Sequence, residues 1–276
     1  MIDQSLRRRF AESQLQADWP APANVRAFTT LRGPAGDSEP PFGPLNLGAR
    51  SGDDLSTVAW NRGELAFYTS MPSPPHWLHQ VHGTRVITFD QPVPHTPFRD
   101  WEHAQHALQV RAEPRADAAV TCTPGVVLAI LTADCLPVLL SASDGSKVAA
   151  AHAGWRGLSA GVLEATLAAM QTPRADILAW LGPAIGAPSY EVGDEVREAF
   201  LACDPAAAPA FTTTRAGHWL CDLYALARQR LHGAGVKRVF GGSFDSFADP
   251  RFHSYRRDGA RSGRMASLVW IVPTAD

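Results

Sequence analysis

Four short apolar stretches follow one another closely at residues 117–121, 126–131, 136–140 and 147–151. Each is too short for an independent helix and rich in β-forming side chains, and turn residues such as Pro124-Gly125, Ala133-Asp134 and Asp144-Gly145 separate them. They predict a largely buried sheet. Residues 125–140 also form the longest apolar run, but Thr132, Asp134 and Pro137 interrupt it, so it reads as a pair of buried strands and a poor membrane span.

The flanking sequence supplies further elements of both kinds. Residues 25–30 read as a first strand. Asp53 or Asp54 is placed to cap a helix running to about Tyr68, with Val58, Leu65 and Ala66 on its buried side and Asn61 and Arg62 within it. Residues 77–79 and 85–89 read as strands around a turn at His82-Gly83. Apolar residues at helical spacing over 158–170 predict a helix entered through a turn at 152–157. Strands at 177–181, 237–240 and 267–272, and helices from about Asp194 and over 222–232, complete an alternating but not strictly βαβ pattern. The expected architecture is an α/β (α+β) fold: one domain over 25–276, with a mixed central β-sheet system flanked by helices, preceded by an extension over 1–24.

Composition narrows the function. The 276 residues are 45% hydrophobic with a formal net charge of −2, enough for one substantial core and without the basic footprint that duplex nucleic acid or an anionic membrane requires. No apolar leader is evident near the N-terminus, so a cytoplasmic location is expected. Small molecules are the expected partners, and a monomer is the expected state. The four cysteines, Cys122, Cys135, Cys203 and Cys221, form neither a CxxC pair nor a dense framework, which favours thiols over structural disulfides.

Chemistry concentrates at Thr132-Ala133-Asp134-Cys135-Leu136-Pro137 and His152-Ala153-Gly154-Trp155-Arg156-Gly157, where a thiol and an imidazole sit at the mouths of apolar strands. His82, in Gln80-Val81-His82-Gly83, adds a second imidazole. Thiolate and neutral imidazole suit zinc, and three protein ligands leave an open coordination position. No short metal motif joins the three, so a second reading stands beside it: Cys135 as nucleophile with His152 as base and Asp134 or a backbone amide assisting. Asp134 has a structural reading as well, its carboxylate satisfying turn amides. The glycines around Arg156 fit an anion-binding turn or a sharp corner. Ser254-Tyr255-Arg256-Arg257-Asp258 fits the wall of an anionic ligand site or a loop held by Arg–Asp pairs. Glu191 and Asp194 read as helix caps, and Arg62 as a ligand-binding or a solvated helix arginine. Residues 91–115, with His95, His103 and His106, read as an exposed excursion.

Together with Gly182-Pro183-Ala184-Ile185-Gly186, these motifs resemble those of the YfiH-type purine nucleoside phosphorylases, also known as laccase-domain or polyphenol oxidase proteins and as the peptidoglycan editing factor. The resemblance covers about Val25 to Val272. It implies zinc on His82, Cys135 and His152, with copper as the alternative metal. It also implies phosphorolysis of adenosine, inosine, guanosine and methylthioadenosine, with adenosine deamination as a side activity. Asn46, Arg62, Arg156 and Arg256 are then the candidates for binding nucleoside and phosphate, and Cys135, His152 and Asp134 the candidates for catalysis. Arg50, where relatives often carry histidine, and Asp245, near where they often carry cysteine, depart from the pattern. The competing functions are a hydrolase of peptidoglycan precursors, a copper polyphenol oxidase and, last, a non-catalytic binding module.

Overall fold

The computed structural model describes residues 3–94 and 113–274. His95, His103, His106 and most of the expected excursion lie outside the described residues.

Two sheets carry the fold. The first has the order β1-β2-β13-β5, built from β1 (Gln14–Gln16), β2 (Val25–Thr30), β5 (Val127–Thr132) and β13 (Met265–Ile271), all antiparallel. The second has the order β12-β8-β6-β7-β4-β3, from β3 (Val86–Thr88), β4 (Ala118–Thr121), β6 (Leu136–Ala142), β7 (Val148–Ala153), β8 (Ile177–Leu181) and β12 (Arg238–Gly241). Its outer pairs β3·β4 and β12·β8 are parallel and its inner pairs antiparallel. A smaller sheet, β10-β11-β9, joins β9 (Glu191–Gly193), β10 (Phe211–Arg215) and β11 (His218–Cys221).

The period-2 alternation of strand side chains explains how these sheets stack. In β5, Leu128 and Ile130 point to one core while Val127 and Ala129 point to another, and Val269 and Ile271 of β13 divide from Leu268 and Trp270 in the same way. Leu139 of β6 and Val148 and Ala150 of β7 join the first of these cores from the second sheet. The two sheets therefore face each other across one apolar layer. Helices Gln4–Glu12 and Leu55–Tyr68 contribute Phe10, Leu65 and Ala66 to the outer face of the first sheet. Helices Val162–Met170, Asp194–Leu201 and Leu223–Gly233 cover the outer face of the second. There the small side chains of Ala149, Ala151 and Ala153 let Val162–Met170 lie close to β7.

The mixed α/β architecture agrees with the expectation from sequence; two details differ. Residues ahead of Val25 form a helix capped by the Asp3 carboxylate and the edge strand β1, and Phe10 is fully buried. The helix expected over 158–170 is two helices, Trp155–Ala160 and Val162–Met170, broken at Gly161 with φ of 99°. Residues 77–79 form no strand; His76 and His79 make isolated bridges to Leu128 and Arg115. Among the described residues no helix is long and apolar enough to cross a membrane.

Candidate metal centre

The site lies where the inter-sheet layer opens at the end of β7. Alternation puts His152 on the inter-sheet face of that strand, and Asp117, just ahead of β4, has the same parity. In the β6·β7 ladder Leu136 is opposite Ala153 and Pro137 opposite His152, so Cys135 falls beside Gly154. A Cβ on Gly154 would lie 3.0 Å from Cys135 Sγ, 3.1 Å from His82 Cδ2 and 3.5 Å from His152 Nε2. Glycine there leaves the space between the three side chains open.

His82 comes from a loop rather than a strand, and two devices hold that loop. Gln80 donates from Nε2 to the Leu131 carbonyl at 2.7 Å and accepts the Leu131 N–H at 2.8 Å, pairing with the free edge of β5 as a strand would. Asp117, fully buried, accepts the backbone N–H of His82 at 2.8 Å and that of Gly83 at 2.7 Å, with Val81 N–H at 3.1 Å. These bonds hold His82 at φ 60°, a left-handed conformation costing roughly 1–3 kcal/mol in a residue with a side chain.

The same carboxylate positions the second histidine. His152 Nδ1 is 2.9 Å from Asp117 Oδ1. Because a carboxylate only accepts, Nδ1 carries the hydrogen and Nε2 is left to face Cys135. Burial raises the Asp117 pKa, but the His152 hydrogen bond and those from Gly83 and Val81 outweigh it and hold the group below the ordinary carboxylate value. Burial likewise opposes ionisation of Cys135; the charge and hydrogen bonds of His152, then of His82, reverse that and bring the thiol well below its usual value. His82 Nε2 and Cys135 Sγ are 3.9 Å apart, the two imidazole centroids 4.8 Å, and the ligand atoms of His82, Cys135 and His152 all lie within 4.8 Å of one another. One readily ionised thiol and two imidazoles, one with its tautomer fixed by a carboxylate, make a donor set suited to zinc or copper.

The remaining expected site residues are placed as follows. Asp134 has φ 87°; its Oδ1 accepts Ser246 Oγ–H at 2.6 Å and its Oδ2 the Arg256 N–H at 2.6 Å, so both oxygens tie loops together, as the turn-holding reading anticipates. Asn46 is buried and internally bonded, with Nδ2 to Ser51 and Asp53 and Oδ1 accepting from Gly48 and Arg264 N–H. Arg62 is only 5% exposed, against the solvated-helix reading: it lies over Trp77 at 4.1 Å, bonds the Leu47 carbonyl and pairs with Glu113 at 2.9 Å, while its Nη2 has no partner among the described residues. Arg50 pairs with the other oxygen of Glu113. Arg156 is exposed over Trp155, and Arg256, also exposed, bonds the Glu191 carbonyl and lies 5.3 Å over Tyr190. Asp245 accepts Gly186 N–H at 3.0 Å and Ser189 Oγ–H at 2.6 Å, holding the glycine turn.

Sequence reasoning missed Asp117, Tyr190 and Arg264. Burial, and next the Cys135 thiolate, raise the pKa of the half-buried Tyr190 hydroxyl, which lies under Arg256, while the register of β13 against β5 brings Arg264 toward the turn that carries Cys135.

Residues 26–272 match the family described as multi-copper polyphenol oxidoreductase laccase. A purine nucleoside phosphorylase of Xylella fastidiosa (strain 9a5c) is 51% identical over 269 residues, 95% of this chain and 98% of the relative. The purine nucleoside phosphorylase YfiH of Escherichia coli (strain K12) is 46% identical, covering 92% of this chain and 97% of its own. Among solved structures, a Neisseria meningitidis protein superposes with a TM-score of 0.83 at 44% identity, covering 95% of this chain and all of that one. YlmD from Geobacillus stearothermophilus does so with 0.81 at 28% identity, over 95% of this chain and 97% of its own.

Proposed function

The chain belongs to the multi-copper polyphenol oxidoreductase laccase family, and on that footing we propose that it is a zinc-dependent purine nucleoside phosphorylase. Its reaction joins adenosine, inosine, guanosine or methylthioadenosine to phosphate, giving free base and the ribose 1-phosphate, with adenosine deamination as a side activity. The observation that carries this reading is the convergence of His82, Cys135 and His152 around the space left by Gly154, in a chain about half identical to proteins named for that activity. The single His-Cys-His group found among the described residues favours one zinc over the several metals of a multicopper oxidase.

His82, Cys135 and His152 would hold the metal, which when bound supplies a Lewis acid at an open position. The chain's own residues do the rest. Asp117 fixes His152 in the Nδ1–H tautomer and anchors the His82 loop. Arg256, over the Tyr190 ring, and Arg156, over Trp155, offer planar cations to a purine or an anion at the exposed side. The Nη2 of Arg62, without a partner among the described residues, gives that guanidinium a donor for substrate. Asn46 acts by holding the turn ahead of Gly48, and Asp134 by tying Ser246 to the backbone of Arg256. In phosphorolysis the departing base leaves positive charge on the ribose, so placing the phosphate close to the anomeric carbon is the main task of the site.

The test compares wild type with Cys135→Ala. Wild type should carry about one zinc per chain and release hypoxanthine from inosine only when phosphate is present; the variant should lose both. Base release that persists without metal or without phosphate would refute the reading, and amide cleavage of peptidoglycan precursors in its place would favour the hydrolase.

A further inference from the structure

Four arginines flank the centre or the turns that support it, and their surroundings differ. Arg62 shares the one carboxylate of Glu113 with Arg50. Arg156 and Arg256 are exposed, where solvent and salt screen them. Arg264 is half-buried, has no carboxylate partner among the described residues, and uses only Nη1 on protein acceptors there, the carbonyls of Ser262 at 2.5 Å and Gly263 at 3.0 Å. Burial pulls its pKa down from the usual arginine value; Cys135 is the strongest of the groups that oppose this, followed by Tyr255 and Asp134.

Its placement is deliberate in the fold. Met265 is paired with Thr132 where β13 meets β5, so Arg264 stands opposite Ala133, one residue short of Asp134 and two short of Cys135. The turn at Asn46 grips its backbone from both sides: Arg264 N–H donates to Asn46 Oδ1 at 2.9 Å, and Leu47 N–H donates to the Arg264 carbonyl at 3.1 Å. Gly48 then makes room for its side chain, since a Cβ there would sit 2.5 Å from Arg264 Cγ. A guanidinium withheld from acids, held in place at its backbone and kept half dry beside a reactive centre has the chemistry of an anion receptor.

We infer that Arg264 binds the attacking phosphate dianion at the edge of the His82–Cys135–His152 centre, an inference that rests on the phosphorylase reading. As a phosphate oxygen bonds to C1′, the electron pair of the C1′–N9 bond passes to the purine. The one proton of hydrogen phosphate balances the proton the base takes up. The sugar phosphate keeps two negative charges, so the same cation faces an equal charge before and after transfer.

The experiment measures equilibrium binding of inorganic phosphate and the phosphate KM for inosine phosphorolysis, together with inosine affinity and metal content, on metal-loaded protein. Arg264→Met should weaken phosphate binding and raise its KM roughly tenfold to a hundredfold, the loss expected for charge-assisted hydrogen bonds, with inosine affinity and metal content unchanged. Arg264→Lys should recover part of the loss. Gly48→Ala, which keeps the charge but displaces the side chain, should move phosphate KM in the same direction by less, and it carries the test if Arg264→Met does not fold. Wild-type phosphate affinity in Arg264→Met, or a loss that tracks metal content, overturns the inference. Phosphate bound through Arg264 in a protein that releases no base from any purine nucleoside would keep the anion site and sink the phosphorylase reading. Normal turnover with phosphate KM untouched in Arg264→Met would do the reverse.

Discussion

Asp117 is the residue on which the centre turns. One carboxylate receives the N–H groups of the His82 loop and the Nδ1–H of His152, so it sets the position of one imidazole and the tautomer of the other. Asp117→Asn keeps the shape but turns an N–H₂ toward groups that are already donors. It is expected to lower metal affinity by about 10- to 100-fold, as loss of an outer hydrogen-bond partner commonly does. Competition against a chromophoric chelator measures this, and an affinity equal to wild type would show that the loop and strand hold their histidines unaided. His82, Cys135 and His152 could be picked out in the sequence because each sits in a glycine- or proline-bounded motif at the end of an apolar run. Asp117 could not, because its partners lie far away in sequence on both sides and nothing next to it differs from an ordinary strand entry. Arg264 left no local trace either: an arginine ahead of a strand is common, and only the ladder with β5 brings it to Cys135.

Among the elements, those with strong periodicity or a cap were readable, such as the Asp54-capped helix Leu55–Tyr68 and strand Ile177–Leu181. The hairpin β10·β11 was not, because the residues of β10 after Phe211 are all exposed and show no alternation. Helix Leu55–Tyr68 also carries a misplaced charge. Burial first, then the neighbouring Asp37, raises the Glu64 carboxyl to about 7, and its Oε2 has no partner among the described residues. The sign follows: the unfolded chain ionises this group above its ordinary carboxylate value while the folded one resists, so its contribution to stability is present at low pH and lost as pH rises through about 7. Glu64→Gln should therefore raise the thermal midpoint by about 2 °C at pH 8, solvent screening limiting the gain, and leave it nearly unchanged at pH 5. Equal shifts at both pH values in thermal melts would show that charge is not the cause.

On the scale of the whole molecule, the sheets and helices form one body in which the segment ahead of Val25 is structural. Phe10 is fully buried and stacks on Tyr68 at 5.3 Å. Phe10→Ala should cost about 3–5 kcal/mol in denaturant unfolding; a cost below about 1 kcal/mol would mean that the first helix docks loosely. The layered α/β class was legible from the succession of strands and helices, whereas the pairing of two separate sheets was not, because apolar alternation shows that a strand has two faces without showing which sheet it joins. The borders of these sheets bear on how the protein behaves at high concentration. The first ends in the three-residue β1 and, on the other side, in β5, whose outer amide and carbonyl at Leu131 are taken by the Gln80 side chain. The second ends in three-residue β3 and four-residue β12. Borders so brief or already filled give a neighbouring copy little backbone to recruit, so the side-chain amide that steadies the His82 loop also guards the molecule against edge-to-edge aggregation.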